Sequence, residues 1–321
     1  MNRRSLTLLG AALALAPLLG QAQSFPEKPI TFVVPFAAGT ATDQIARALG
    51  NVITAETKQA VVIDNRAGAS GFIASQFVAK APADGYTVLI TTNTTHAANE
   101  HLYKKLPYDP VKEFAPVAGL GKGGQIMVVN PSSNVKSVAD FIALAKKEPG
   151  KLSFGSGSSS SRMAGELLQQ MADIKLLHVP YKSNTLAVTD LLGGQIDMMI
   201  TDTATGLPQV KGGKLRALGM SSASRSPLAP DVPTIAEAGV KGYEMGYWFA
   251  AYAPAKTPPA VVKRLNELLV KAAKSDSAKT AFYEPSGTEV FTTTPEDLAK
   301  FQAGESQKWG RIVKAAGIEA E

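Results

Sequence analysis

The chain has no cysteine among its 321 residues, only three histidines, and 7% aromatic residues. The first absence excludes disulfides, thiolate metal sites and a cysteine nucleophile, so stability rests on packing. It also excludes a lipid anchor, because no cysteine follows the apolar run near the start. His96, His101 and His178 are too few for a histidine zinc site, and His96 and His101 are five apart, a poor spacing for one helix face. His178 closes an apolar strand and reads as a structural histidine. No metal or cofactor site is expected. The Gly-x-Ser-x-Gly elbow of serine hydrolases is missing despite many serines. No set of nucleophile, base and orienting group emerges, so an enzyme is not expected. Lys and Arg are dispersed among the acids without a basic block, which argues against nucleic acid. No stretch beyond the first two dozen residues is apolar enough to cross a membrane.

That first stretch reads as a targeting segment. Arg3 and Arg4 give a positive start, Leu6 opens an apolar run of about 14 residues, and spanning needs roughly 20. Gly20-Gln21-Ala22 suits cleavage near Ala22 or Gln23, so residues 1–23 are expected to be a signal peptide and the product periplasmic. Roughly 298 residues remain, more than one core holds comfortably and enough for two lobes. Losing Arg3 and Arg4 takes the net charge from +6 to +4, a mild field that attracts anions.

Short apolar runs alternate with helical patterns from end to end. Residues 30–34, 60–63, 86–90, 125–129, 152–154, 176–179, 198–200 and 215–220 read as strands. Residues 42–53, 138–147, 162–171, 185–192 and 259–273 read as helices. Thr294-Pro295-Glu296-Asp297 is a helix start, and Leu298, Phe301, Trp309, Ile312 and Ala316 follow at core-facing spacing. The alternation predicts an α/β fold built on parallel sheets.

Open parallel sheets bind ligands beyond the carboxyl ends of their strands. After the first strand comes Pro35-Phe36-Ala37-Ala38-Gly39-Thr40-Ala41-Thr42-Asp43, leading into a helix. After residues 152–154 comes Gly155-Ser156-Gly157-Ser158-Ser159-Ser160-Ser161, again leading into a helix. Small residues let backbone approach a ligand, and helix starts offer unpaired N–H groups to an anion. As a pair, the two turns predict an anion cleft; each alone is also an ordinary strand-to-helix turn. Neither carries a phosphate-loop Lys-Ser/Thr ending or the Rossmann glycine spacing. Thr92, Thr201 and Asp202 also follow strands and read as cleft-wall or capping residues.

In order, Val34-Pro35-Phe36-Ala37-Ala38-Gly39, Asp64-Asn65-Arg66-Ala67-Gly68-Ala69, Ala83-Asp84-Gly85-Tyr86-Thr87, His178-Val179-Pro180-Tyr181-Lys182, Leu192-Gly193-Gly194-Gln195-Ile196-Asp197 and Pro230-Asp231-Val232-Pro233-Thr234 form a specific set. With it the chain resembles the Bug family, the solute-binding components of tripartite tricarboxylate transporters, over essentially the whole chain after its leader. The resemblance implies a type II periplasmic-binding-protein fold with two α/β lobes and a ligand cleft between them. Residues 24–125 plus 251–321 would form lobe 1, and 126–250 lobe 2. It implies a monomer that closes around a small carboxylate, here favoured as an aliphatic or aromatic dicarboxylate, and delivers it to membrane permease subunits. A ligand-presenting partner of a periplasmic sensor kinase is the alternative; a hydrolase using a loop serine is a third.

Phe36, Ala38, Gly39 and Asp43 match the family's first loop, with Thr40 where a second glycine is usual, and Thr42 follows. Asp43 would meet a ligand amino group or simply favour the helix start. The second loop contributes Ser156, Gly157, Ser158, Ser161 and Arg162, and departs from the family by Arg162-Met163 in place of His-Leu. A positive charge in a first turn opposes the helix dipole, which points Arg162 toward a second carboxylate.

Overall fold

The computed structural model describes residues 25–315 and 317–320. The expected leader and Ala316 lie outside the described residues. The chain runs β1 (Ile30–Val34), α1 (Ala41–Thr57), β2 (Val61–Asn65), α2 (Phe72–Ala79) and β3 (Thr87–Thr92), then a π-helical turn at Thr94–Ala98 continuing into α3 (Asn99–Leu102). Next come β4 (Phe114–Val129), α4 (Val138–Lys147), β5 (Ser153–Ser156), α5 (Ser159–Ala172), β6 (Leu177–Pro180) and α6 (Asn184–Leu192). β7 (Met198–Asp202), α7 (Thr203–Lys211), β8 (Arg216–Met220) and β9 (Gly246–Pro254) follow. The C-terminal part holds α8 (Pro259–Lys274), the short α9 (Asp276–Ala278) and α10 (Glu284–Ser286), β10 (Glu289–Val290) and α11 (Pro295–Ala315).

The strands form one curled sheet in the order β2-β1-β3-β9-β4-β7-β5-β6, with β8 and β10 also beside β4. β4 ties its halves together. Residues 114–124 pair with β9, and residues 125–129 pair with β7 and β8. The flanks are parallel, as the alternation predicts: β1 with β2 and β3, β5 with β6 and β7. The centre is not. β3 with β9, β9 with β4 and β4 with β7 are antiparallel, because β4 and β9 carry the chain across and back.

β9 and the first half of β4 also escaped the pattern reading. All but the first residue of β9 are buried, so no period of two marks it. The first half of β4 is glycine-rich, which reads as loop. Gly119 is there for space: a Cβ would lie 2.9 Å from the Phe291 carbonyl oxygen. The missed helices, α2, α3, α7, α9 and α10, are short, and α7 carries Pro208 within it.

Apolar faces seal the sheet from both sides. Leu265, Leu268 and Leu269 of α8 pack with Phe32, Ile45 and Leu49. Leu298 and Trp309 of α11 join Phe141, Phe154 and Trp248. The predicted cap at the head of α11 forms, with the Asp297 amide donating to Thr294 Oγ1 at 3.1 Å. His96 is wholly buried and stacked on Tyr252 at 3.8 Å between ring centres. Burial pushes its pKa down to about 3, so the ring is neutral and structural.

Candidate functional site

The first loop leaves β1, turns at Gly39 (φ +83) and enters α1 with Thr40 as N-cap in extended geometry, φ −72 and ψ 160. The Thr40 side chain does not cap the helix; its hydroxyl donates back to the Ala37 carbonyl at 2.8 Å. The leading amides of α1 therefore face forward with no side-chain acceptor. By contrast Ser137, Ser158, Ser183 and Asp202 accept amides at the heads of α4, α5, α6 and α7. The open helix start borders a cavity of about 440 Å³, mouth included. Its walls are Phe36, Thr40, Ala41, Thr42, Thr92, Gln125, Gly157, Ser158, Ser160, Asn184, Asp202, Tyr247 and Phe249.

The second loop is organised differently from the expectation of a matching amide cradle. Ser158 and Ser161 form a capping box, each bonding the other's backbone amide at 3.2 Å. The Gly157 amide donates to Asn184 Oδ1 at 3.0 Å. These amides are already satisfied, so this loop shapes the wall while α1 supplies the open donors. Ser159 and Ser160 then clasp the other half of the molecule, donating to Asn99 Oδ1 at 2.8 Å and Asn93 Oδ1 at 2.9 Å.

The structure brings Phe36, Thr40, Thr42, Thr92, Gly157, Ser158 and Asp202 to this cavity. Ser156 and Arg162 instead line an adjoining chamber of about 980 Å³, mouth included. Ser156 Oγ lies 2.7 Å from His178 Nε2, so the structural histidine borders the chamber as well. Ala38 and Gly39 are exposed and are not among the lining residues. Ser161 and Thr201 are fully buried, Ser161 Oγ bonding Asn184 Oδ1 at 2.9 Å.

Asp43 does not border the cavity. Its carboxylate accepts from the Gly39 amide (2.9 Å), Arg47 Nε (2.9 Å) and Asn65 Nδ2 (3.0 Å). Burial raises its pKa, but the bonds from Arg47, Gly39 and Asn65 outweigh that and hold it below the ordinary 3.8. A depressed acid adds stability above its unfolded pKa and loses it as pH falls through the folded value. Asp43→Asn is therefore expected to lower stability by about 1–2 kcal/mol at pH 7, the gap closing as the pH falls below the ordinary 3.8 and through the lowered folded value. Urea melts of both proteins across that range check it.

Gln125, Ser160, Asn184, Tyr247 and Phe249 line the cavity without having been singled out. Asn184 had a signal, since it follows β6 as the predicted loops follow β1 and β5. Tyr247 and Phe249 had none, because they sit on the unrecognised β9. Asp202 places an acid on the wall, but Oδ1 takes the Thr205 amide at 2.8 Å and Oδ2 takes Asn184 Nδ2 at 3.0 Å.

A helix start with open amides, between hydroxyl and amide walls drawn from both halves of an α/β molecule, is the make-up of a solute-binding cleft. The chain matches the model of the tripartite tricarboxylate transporter family receptor over residues 45–318, and it belongs to that family. It is 38% identical to a UPF0065 protein from the tcbD-tcbE intergenic region of Pseudomonas sp. strain P51, covering 97% of this chain and 94% of that one. Among solved structures, Rpa4515 of R. palustris with adipate superposes with TM-score 0.90 at 36% identity, covering 92% of this chain and all of that one. MatC of Rhodopseudomonas palustris with bound malate gives 0.85 at 30% identity, covering 90% and 100%. The expected type II periplasmic-binding-protein architecture is thus the architecture of this chain, and the protein is a binding receptor rather than an enzyme.

Proposed function

We propose that the protein captures a small dicarboxylate in the periplasm and hands it to the membrane permease of a tripartite tricarboxylate transporter. One observation carries the reading: the uncapped start of α1 opens into the cleft. A carboxylate there fills the place that a capping side chain leaves empty, where amides and helix dipole both favour negative charge. The Thr40, Thr92 and Ser158 side chains on the same walls suit a polar anion. Relatives of this architecture have been solved with adipate and with malate, both dicarboxylates. Residues 24–125 plus 251–321 act as one lobe and 126–250 as the other, closing about β4 where it changes partners between Gly124 and Gln125.

Native mass spectrometry of protein purified without denaturation tests this, followed by calorimetry with mono- and dicarboxylates. The expected result is a co-purified small organic anion and binding of carboxylates in preference to neutral solutes. Neutral solutes bound equally well, or no carboxylate bound at all, would overturn the reading.

A further inference from the structure

The chamber beside the cleft differs from it in charge. Ser70 and Tyr103 form one side, joined by a 2.7 Å hydrogen bond between their hydroxyls. Arg162, His178, Tyr181 and Lys182 form the other. Two permanent cations therefore border it, and no acid does so among the described residues. The Arg162 side chain is only 18% exposed, so water screens its charge weakly. Glu166, one turn along α5, stands 3.9 Å from Arg162 Nε and is not part of the chamber wall. Ser70 holds a left-handed backbone, φ +52, between Gly68 and Gly71, a conformation a non-glycine residue adopts at a cost. That turn presents the Ser70 hydroxyl toward Tyr103. The two cavities adjoin, with Phe36, Gly157 and Ser158 lining both.

We infer that one elongated dianion spans the two cavities, its near carboxylate on the start of α1 and its far carboxylate beside Arg162 and Lys182. This rests on the proposed carboxylate capture and adds the subsite and the ligand shape. A guanidinium grips a carboxylate through two parallel N–H bonds and an ammonium acts as a point charge, so Arg162 dominates and the exposed Lys182 assists. A monoacid of equal length reaches α1 but leaves the far chamber to water.

The test is calorimetry with straight-chain α,ω-diacids of four to eight carbons, each against the monoacid of equal length. The wild type is expected to prefer a diacid by about 10- to 100-fold once the chain is long enough to reach. Arg162→Met is expected to erase that preference and leave monoacid affinity within about twofold. Lys182→Met, at an exposed position, moves the same way by less and guards against a folding defect in the first variant. A diacid preference that survives Arg162→Met overturns the inference, as does a wild type that binds monoacids and diacids alike. If the wild type binds no acid of either kind, carboxylate capture itself has failed.

Discussion

Thr40→Asp is expected to abolish carboxylate binding while making the free protein more stable. Position 40 already has the extended backbone of an N-cap, and its neighbours in α1 offer amides that no side chain accepts. An aspartate there reaches those amides from within the chain. It caps the helix, a contribution of about 0.5–2 kcal/mol, and complements the dipole. It also occupies the donors a ligand carboxylate needs and opposes it with like charge. Two charge-assisted hydrogen bonds lost from the complex correspond to about 4 kcal/mol, on the order of a thousandfold in affinity. Thr40→Ser is the control, since it keeps the hydroxyl and adds no charge; its affinity should stay within about threefold of wild type. Calorimetry and thermal melts of the three proteins give the two readouts. A Thr40→Asp variant that still binds carboxylates places the ligand somewhere other than the start of α1. Opposite signs for stability and binding separate this outcome from simple misfolding.

Much of this site was legible from residues alone, and the part that was not has a physical cause. Both loops stood out because small residues sit between a strand and a helix. Their inequality did not. Thr40 and Ser158 are both hydroxyl residues at N-caps, yet Thr40 turns back to Ala37 while Ser158 turns forward onto Ser161. That choice depends on partners distant in sequence: Asn184 takes the Gly157 amide and Ser161 Oγ. Asp43 was left between ligand and structural roles, and here Asn65 and Arg47 hold its carboxylate away from the cleft. The parallel flanks followed from local alternation. The antiparallel centre did not, since β9 is buried along nearly its whole length and β4 hides half of itself in glycines. Arg162 stood out for an unfavourable charge at a helix start, and the structure puts it in the chamber next to the cleft rather than in it.

Gly157→Ala should be the most damaging single methyl in the cleft. A Cβ at this position would lie 1.9 Å from the Ser183 carbonyl carbon and 2.1 Å from the Asn184 nitrogen. Both are backbone atoms, so no flexible side chain gives way. Relief requires the loop between β5 and α5 to move away from the head of α6. That movement breaks the Gly157 amide bond to Asn184 and frees the Asn184 side chain from Ser161 and Asp202. Overpacking with the loss of a buried polar network places the cost at about 4 kcal/mol or more. For a molecule of this size that is roughly a 10 °C fall in melting temperature. Gly150→Ala makes the contrast. Gly150 has φ +76 but nothing within 4 Å of a built Cβ, so only backbone strain of about 1–2 kcal/mol applies. Thermal melts of the two variants should differ in that order. Equal losses would mean that the β5–α5 loop yields freely, and that the tight seat of Gly157 against α6 does not fix the shape of the shared wall between the two cavities.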